Sequence, residues 1–129
     1  MIAAAALAAL LAAAGWLAFV GVVCLLRADF ARAALSRMGS TWPIHLGEHA
    51  LRALFGMALV LRADASKAPG LFIAGGWFVI ATSVLIVLAP RRWHHAFALW
   101  WADRIPGQAW RWIGLASLAF SGLLAWAAL

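Results

Sequence analysis

The chain has 129 residues and a net charge of +6; 67% of its residues are hydrophobic and only 11% are charged. A soluble domain of this size could not bury so much apolar surface. The same composition excludes a disordered chain, and a single cysteine excludes a disulfide scaffold. The composition therefore predicts an integral membrane protein.

The first half of the chain predicts two membrane spans with an amphipathic helix between them. Residues 2–26 are apolar throughout and exceed the roughly 20 residues that a bilayer core requires. A secretory signal peptide is the alternative for this run, but no basic segment precedes it and it is too long. Residues 28–39 are amphipathic and suited to the headgroup plane. A second span is predicted over 43–61, with Pro43 in its first turn.

The second half repeats this order. Spans are predicted over 71–89 and 110–129, and an interfacial helix over 93–104 lies between them. The chain thus divides into two-span units at 1–62 and 70–129, separated by a short polar turn. Gly15-Trp16 aligns with Gly76-Trp77, which favours a tandem repeat. We expect an all-α membrane protein of four transmembrane helices, arranged as two helix pairs with parallel orientation.

The positions of the basic residues predict the orientation in the membrane. The arginines that follow the first and third spans are Arg27, Arg32, Arg37, Arg52, Arg91, Arg92, Arg104 and Arg111. The turn between the second and third spans holds only Arg62 and Lys67. The positive-inside rule then places the interfacial helices in the cytoplasm and both termini in the periplasm of a bacterial inner membrane. Because these basic residues border apolar runs, we expect them to meet anionic lipids and exclude nucleic acid as a partner.

A resemblance to a known family covers about residues 72–129. Leu88-Ala-Pro-Arg-Arg-Trp93, a short amphipathic stretch and then Arg111-Trp-Ile-Gly-Leu115 resemble the YjeT-like family. Its members are small two-span proteins of the bacterial inner membrane with no assigned function. The resemblance implies a small accessory membrane protein and carries over no catalytic residue. His94, His95 and the tryptophan-rich stretch depart from the family pattern, as does the first half of the chain.

One helical face of the second span concentrates polar groups. Its members are His45, Glu48, His49 and Arg52, at the spacing of successive helical turns. H-x-x-E-H is the spacing of an inverted zinc-peptidase motif, whose third ligand would have to be His94, His95 or Asp103. Haem or a chlorophyll-type pigment is a second alternative. The third is structural: Glu48 pairs with Arg52, and the histidines are solvated. We assign no metal or cofactor here and expect a face that contacts a partner or a cofactor.

A second set of residues is expected to contact lipid headgroups at the membrane interface. It comprises Arg91, Arg92, Trp93, His94, His95, Trp100, Trp101 and Arg104.

These patterns favour a non-catalytic role. The chain shows no nucleophile next to a base and no paired carboxylates, so we expect no enzyme. Three of the four spans carry no charge in their central parts, which argues against a transporter. We predict an accessory subunit that packs against a larger respiratory or photosynthetic membrane complex. The alternative is a small protein that binds haem, pigment, quinone or metal through His45, Glu48 and His49.

Overall fold

The computed structural model describes all 129 residues, which are 88% helical with no strands. The helices are α1 (Ile2–Leu26), α2 (Ala28–Ser36), α3 (Trp42–Arg62), α4 (Pro69–Leu88), α5 (Arg91–Arg104) and α6 (Gly107–Ala128). A short 3₁₀ turn, Ala63–Ala65, follows α3. The four long helices α1, α3, α4 and α6 are long and apolar enough to cross a membrane. The all-α prediction with four spans is therefore confirmed.

The bounds of the helices follow local sequence rules. The side chain of Thr41 accepts a hydrogen bond from the Ile44 amide, and Pro43 occupies the first turn of α3. Gly39 has a φ of 65°, a left-handed conformation that glycine adopts without strain, and it follows the end of α2. The helix α2 consequently ends at Ser36, three residues short of the predicted bound.

Most of the apolar surface faces outward. Only 21 of the 129 residues are buried, and large side chains such as Trp16, Phe78 and Leu85 are more than half exposed. In water such a surface would be unstable, but in a bilayer it contacts lipid chains of similar polarity. Packing inside the bundle relies instead on small residues and a few interhelical hydrogen bonds.

The closest helix packing pairs α1 with α6 and α3 with α4, while α2 lies against α5. These contacts run between the two predicted two-span units. The division of the chain at residues 62–70, and its origin by duplication, remain predictions.

Two glycine crossings set the distance between the paired helices. A Cβ atom on Gly56 would lie 2.7 Å from the carbonyl oxygen of Gly76, and one on Gly76 would lie 2.6 Å from that of Gly56. Gly21 and Gly114 meet in the same way between α1 and α6. Small residues permit this approach of two backbones, as is common among membrane helices.

Hydrogen bonds to main-chain carbonyls join α6 to its neighbours. Ser117 donates to the carbonyl of Leu17, and Ser121 donates to that of Ala14, each at 2.7 Å. At the C-terminal end of α6, Arg62 donates to the carbonyl of Ala128 at 2.9 Å. Lys67 donates through its side chain to the carbonyl of Trp126 at 2.8 Å. These cations satisfy the free carbonyls at the C-terminus of α6, where the helix dipole favours positive charge.

Candidate metal centre

Three histidines from two helices meet between α3 and α5. His45 and His49 lie one turn apart on α3 and are 0% and 5% exposed. His94 comes from the first turn of α5 and is half-buried. The ring centroids of His45, His49 and His94 lie 4.8 to 5.3 Å apart. The prediction that the second-span histidines are solvated by headgroups and water is therefore wrong, because both of them are buried in the protein.

Short-range sequence signals place the three rings. Thr41 and Pro43 fix the start of α3, so His45 lies in its first turn and His49 follows on the same face. Pro90 stands directly before α5 and lacks an amide donor, which suits the start of a helix. The helix α5 then returns across the end of the bundle and brings His94 over His45 and His49.

The nitrogen atoms of the cluster have the spacing of metal ligands. Nδ1 of His94 lies 3.1 Å from Nδ1 of His45 and 3.4 Å from Nε2 of His49. Two nitrogens bound tetrahedrally to one zinc ion at about 2.0–2.1 Å are separated by about 3.3–3.4 Å. One potential ligand atom from each of the three histidines lies within 4.8 Å of the others. The three rings are thus already arranged around a volume that suits a single ion.

Hydrogen bonds within the cluster cannot satisfy all three rings. A ring nitrogen is either a donor or an acceptor, so Nδ1 of His94 can form a good hydrogen bond with only one of its two neighbours. Nε2 of His45, Nδ1 of His49 and Oε2 of Glu48 are buried without any partner. Only one other buried side-chain atom in the chain, Nε1 of Trp110, shares this condition. Buried polar atoms without partners are rare in folded proteins and call for an explanation.

Glu48 belongs to the cluster and Arg52 does not. Oε2 of Glu48 lies 3.9 Å from Nδ1 of His94. Arg52 donates instead to the hydroxyl of Thr82 on α4, at 2.9 Å. The predicted pair between Glu48 and Arg52 is therefore wrong: both lie on one helical face, but α5 attracts the carboxylate and α4 accepts the hydrogen bond of the guanidinium.

The electrostatic environment of His94 favours its neutral form. Burial lowers the pKa of His94, and positive charge on His45, His95 and Arg52 lowers it further. A neutral imidazole is the form that offers a lone pair to a metal ion. The lowered pKa of His94 therefore favours the form of the ring that can bind a metal ion.

The loop between α2 and α3 covers the cluster. A Cβ atom on Gly39 would lie 2.9 Å from Nδ1 of His94, so only a glycine backbone fits over the ring. Arg91 holds this loop by donating to the carbonyls of Gly39 and Ser40. Nδ1 of His95 donates to the carbonyl of Met38 at 2.8 Å.

These contacts bear on the residues predicted to contact lipid headgroups. Three of them contact the protein itself: Arg91, His94 and His95.

The remaining residues predicted at the interface stay on the surface. Trp93, Trp100 and Trp101 are 63%, 46% and 42% exposed, and Arg92 is also exposed. The guanidinium of Arg104 lies 4.2 Å from the ring centre of Trp100, a cation–π contact. This arrangement is compatible with an interfacial role.

Sequence reasoning named the three histidines but not the elements that complete the site. Of the three candidates for a third ligand, the structure brings His94, and neither His95 nor Asp103, beside His45 and His49. The covering role of Gly39 and the contact of Thr82 with Arg52 were missed. Pro43 in the first turn of α3 and Pro90 directly before α5 are the available signals, since they predict where the two helices begin.

Comparison of the chain with known protein families, with curated proteins and with solved structures finds no match.

Proposed function

We propose that this chain is a multi-pass membrane protein that binds one divalent transition-metal ion through His45, His49 and His94, with Glu48 as the fourth ligand. The observation that carries the proposal is the convergence of three imidazole nitrogens at ligand spacing, with the unpartnered Oε2 of Glu48 beside them. Such a cluster is costly in an apolar environment unless a cation engages the lone pairs.

The donor set favours a borderline ion such as Zn²⁺. Imidazole suits zinc, copper, iron and nickel, whereas calcium and magnesium require mainly oxygen ligands. Three imidazole nitrogens and one carboxylate form a donor set that suits Zn²⁺, which most often takes four ligands. Zn²⁺ is therefore the probe of choice for the first experiment.

The close approach of the rings argues against haem, a chlorophyll-type pigment or a quinone at this site. Nδ1 of His94 lies 3.1 Å from a ring nitrogen of His45 and 3.4 Å from one of His49. A flat macrocycle needs open space on the face of the ligating imidazole. The cluster leaves room for an ion but not for a ring system.

The test is a metal-binding stoichiometry on the purified chain in detergent. After removal of adventitious metal with a chelator, the wild-type chain should bind one Zn²⁺ per molecule in equilibrium dialysis. His94→Ala should abolish this binding. His95→Ala is the matched control, because its ring faces Met38 and not the cluster, and it should retain one ion. Equal binding by all three proteins, or none by the wild type, would contradict the proposal.

For the location of the site, we propose the cytoplasmic side of a bacterial inner membrane. The arginines of α2 and α5 support this orientation through the positive-inside rule. Arg62 and Lys67, at the opposite end, bind the C-terminal carbonyls of α6 and so have a local role. Both termini would then be periplasmic.

A role as an accessory subunit of a larger membrane complex is a second proposal, and it is compatible with metal binding. The observation that favours it is Arg52, a charged side chain exposed in the middle of a membrane span. Intramembrane charges usually face protein or a cavity.

A further inference from the structure

Arg52 lies at the centre of a transmembrane helix. It is the middle residue of α3 (Trp42–Arg62), so it lies about 15 Å from either end at 1.5 Å per residue. Its side chain is exposed on the outside of the bundle, next to apolar residues that would contact lipid. A charge in this position is expensive for a bilayer.

Arginines in membranes often extend toward the headgroups, but this one is held in place. Its guanidinium donates to the hydroxyl of Thr82, at 2.9 Å. Thr82 is six residues before the end of α4 at Leu88, about 9 Å along the helix. The hydroxyl itself donates to the carbonyl of Phe78, so it is an ordered acceptor. The hydrogen bond therefore places the guanidinium about 9 Å along α4 from its end at Leu88 and not at the end of the helix.

The chain itself leaves most of the guanidinium without partners. Arginine has five N–H donors, and the contact with Thr82 uses one. Neither of the two ion pairs in the chain includes Arg52. In hydrocarbon the free donors and the charge require an acceptor from outside, and a carboxylate meets a guanidinium with two parallel hydrogen bonds.

A second copy of this chain does not supply that carboxylate. Asp29 and Asp103 belong to α2 and α5 outside the spans, and Asp64 lies in the turn at the far end of α3. Glu48 is half-buried against the histidine cluster, with Oε2 at 3.9 Å from Nδ1 of His94. No acidic residue of the chain is therefore exposed at the depth of Arg52.

We infer that the surface around Arg52 and Thr82 is a docking site for a transmembrane helix of another protein that carries an Asp or Glu at matching depth. The exposed side chains of Phe78 and Leu85 flank this site on α4, each 65% exposed, and would pack against the incoming helix. The inference rests on the proposed role as an accessory subunit, but it does not depend on metal binding, because this surface contains none of the four proposed ligands.

Photo-crosslinking in native membranes tests the inference. A photoreactive amino acid replaces Phe78 in the full-length chain, and a control chain carries it at Phe120, which is 56% exposed on α6. We expect the Phe78 probe, and not the Phe120 probe, to crosslink to one apolar peptide of a different membrane protein containing Asp or Glu. Arg52→Gln should lower the yield about tenfold or more, while Arg92→Gln should leave it unchanged.

An exchange of the two charges between this chain and its partner completes the experiment. It also controls for misfolding, because a misfolded variant would not be rescued. Arg52→Glu should abolish the crosslink, and replacing the partner's acidic residue with Arg should restore it in the double variant. Thr82→Val, which keeps the shape of the side chain, should give an intermediate loss. Adducts with lipid alone, adducts with this chain alone, or a yield unaffected by Arg52→Gln would each overturn the inference.

Discussion

The interface between α1 and α6 and the interface between α3 and α5 meet the same physical demand in different ways. Ser117 and Ser121 bury hydroxyls between α1 and α6, and each donates to a carbonyl of the facing helix. The α3–α5 interface buries three polar atoms of His45, Glu48 and His49 that have no partner. Since unpartnered groups in an apolar environment are costly, the first interface is complete as a structure. At the second interface a bound cation would engage the converging ring nitrogens and Oε2 of Glu48, and the predictions below test that difference.

The largest expected effect is stabilisation of the chain by metal. An ion that binds only the folded state at a thousand times its Kd raises the free energy of unfolding by about 4 kcal/mol. We expect Zn²⁺ to raise the midpoint of thermal unfolding, followed by helix circular dichroism in detergent. His49→Ala should remove this response, whereas Ser121→Ala, at the other interface, should retain it. An equal response in both variants would show that the metal acts elsewhere.

The next effect concerns helix packing without metal. Gly76→Ala places a Cβ atom 2.6 Å from the carbonyl oxygen of Gly56, and we expect a loss of about 1–3 kcal/mol in the free energy of unfolding. Gly75→Ala is the matched control, because a Cβ atom there has no neighbour within 4 Å. It should change stability by less than about 1 kcal/mol. A Gly76→Ala variant as stable as the Gly75→Ala variant would contradict the close crossing of α3 and α4.

A smaller effect is expected from the carboxylate of the cluster. Glu48→Gln removes the negative charge but keeps an oxygen, so we expect a loss of about tenfold in Zn²⁺ affinity rather than loss of the site. Competition with a chromogenic chelator measures this change. Asp103→Asn is the control, since Asp103 is exposed on the same helix as His94, and its affinity should match the wild type. An unchanged affinity in Glu48→Gln would remove Glu48 from the ligand set.

The smallest expected effect on the free energy of unfolding is at the interface between α1 and α6. Ser121→Ala removes the hydrogen bond to the carbonyl of Ala14, and such bonds between membrane helices are worth about 0.6 kcal/mol on average. The free energy of unfolding should fall by about that amount, with Zn²⁺ affinity unchanged. A change in metal affinity would show that the two interfaces are coupled.

More of the fold than of the site can be predicted from the sequence. Apolar runs and helix-starting prolines locate the spans, because burial in lipid requires long uninterrupted helices. The pairing of α3 with α4 and of α1 with α6 does not follow from hydropathy, since lipid-facing and helix-facing positions are both apolar. Gly76 and Gly114 lie at the helix crossings. Gly75 and Gly122 are also glycines, but a Cβ atom on either would have no neighbour within 4 Å, so the sequence alone does not show which glycines lie at a crossing.

For the site, the spacing of His45 and His49 predicts that they share a face. Their approach to His94 depends on the direction in which α5 returns across the bundle, which no local pattern encodes. The expected pair of Glu48 with Arg52 failed for a related reason. Helical spacing gives the distance between two side chains on one helix, but neighbouring helices decide which of the available partners each one meets.

The central claim is that His45, His49, His94 and Glu48 bind one ion together, and X-ray absorption spectroscopy of the zinc-loaded chain tests it most directly. The account predicts four light ligands at about 2.0–2.1 Å, with the outer-shell scattering of three imidazoles. His94→Ala, which is expected to bind no Zn²⁺, should give no spectrum of a bound ion, and His95→Ala should show three imidazoles. A spectrum with one imidazole or none, or one that is identical in His94→Ala, would contradict the account.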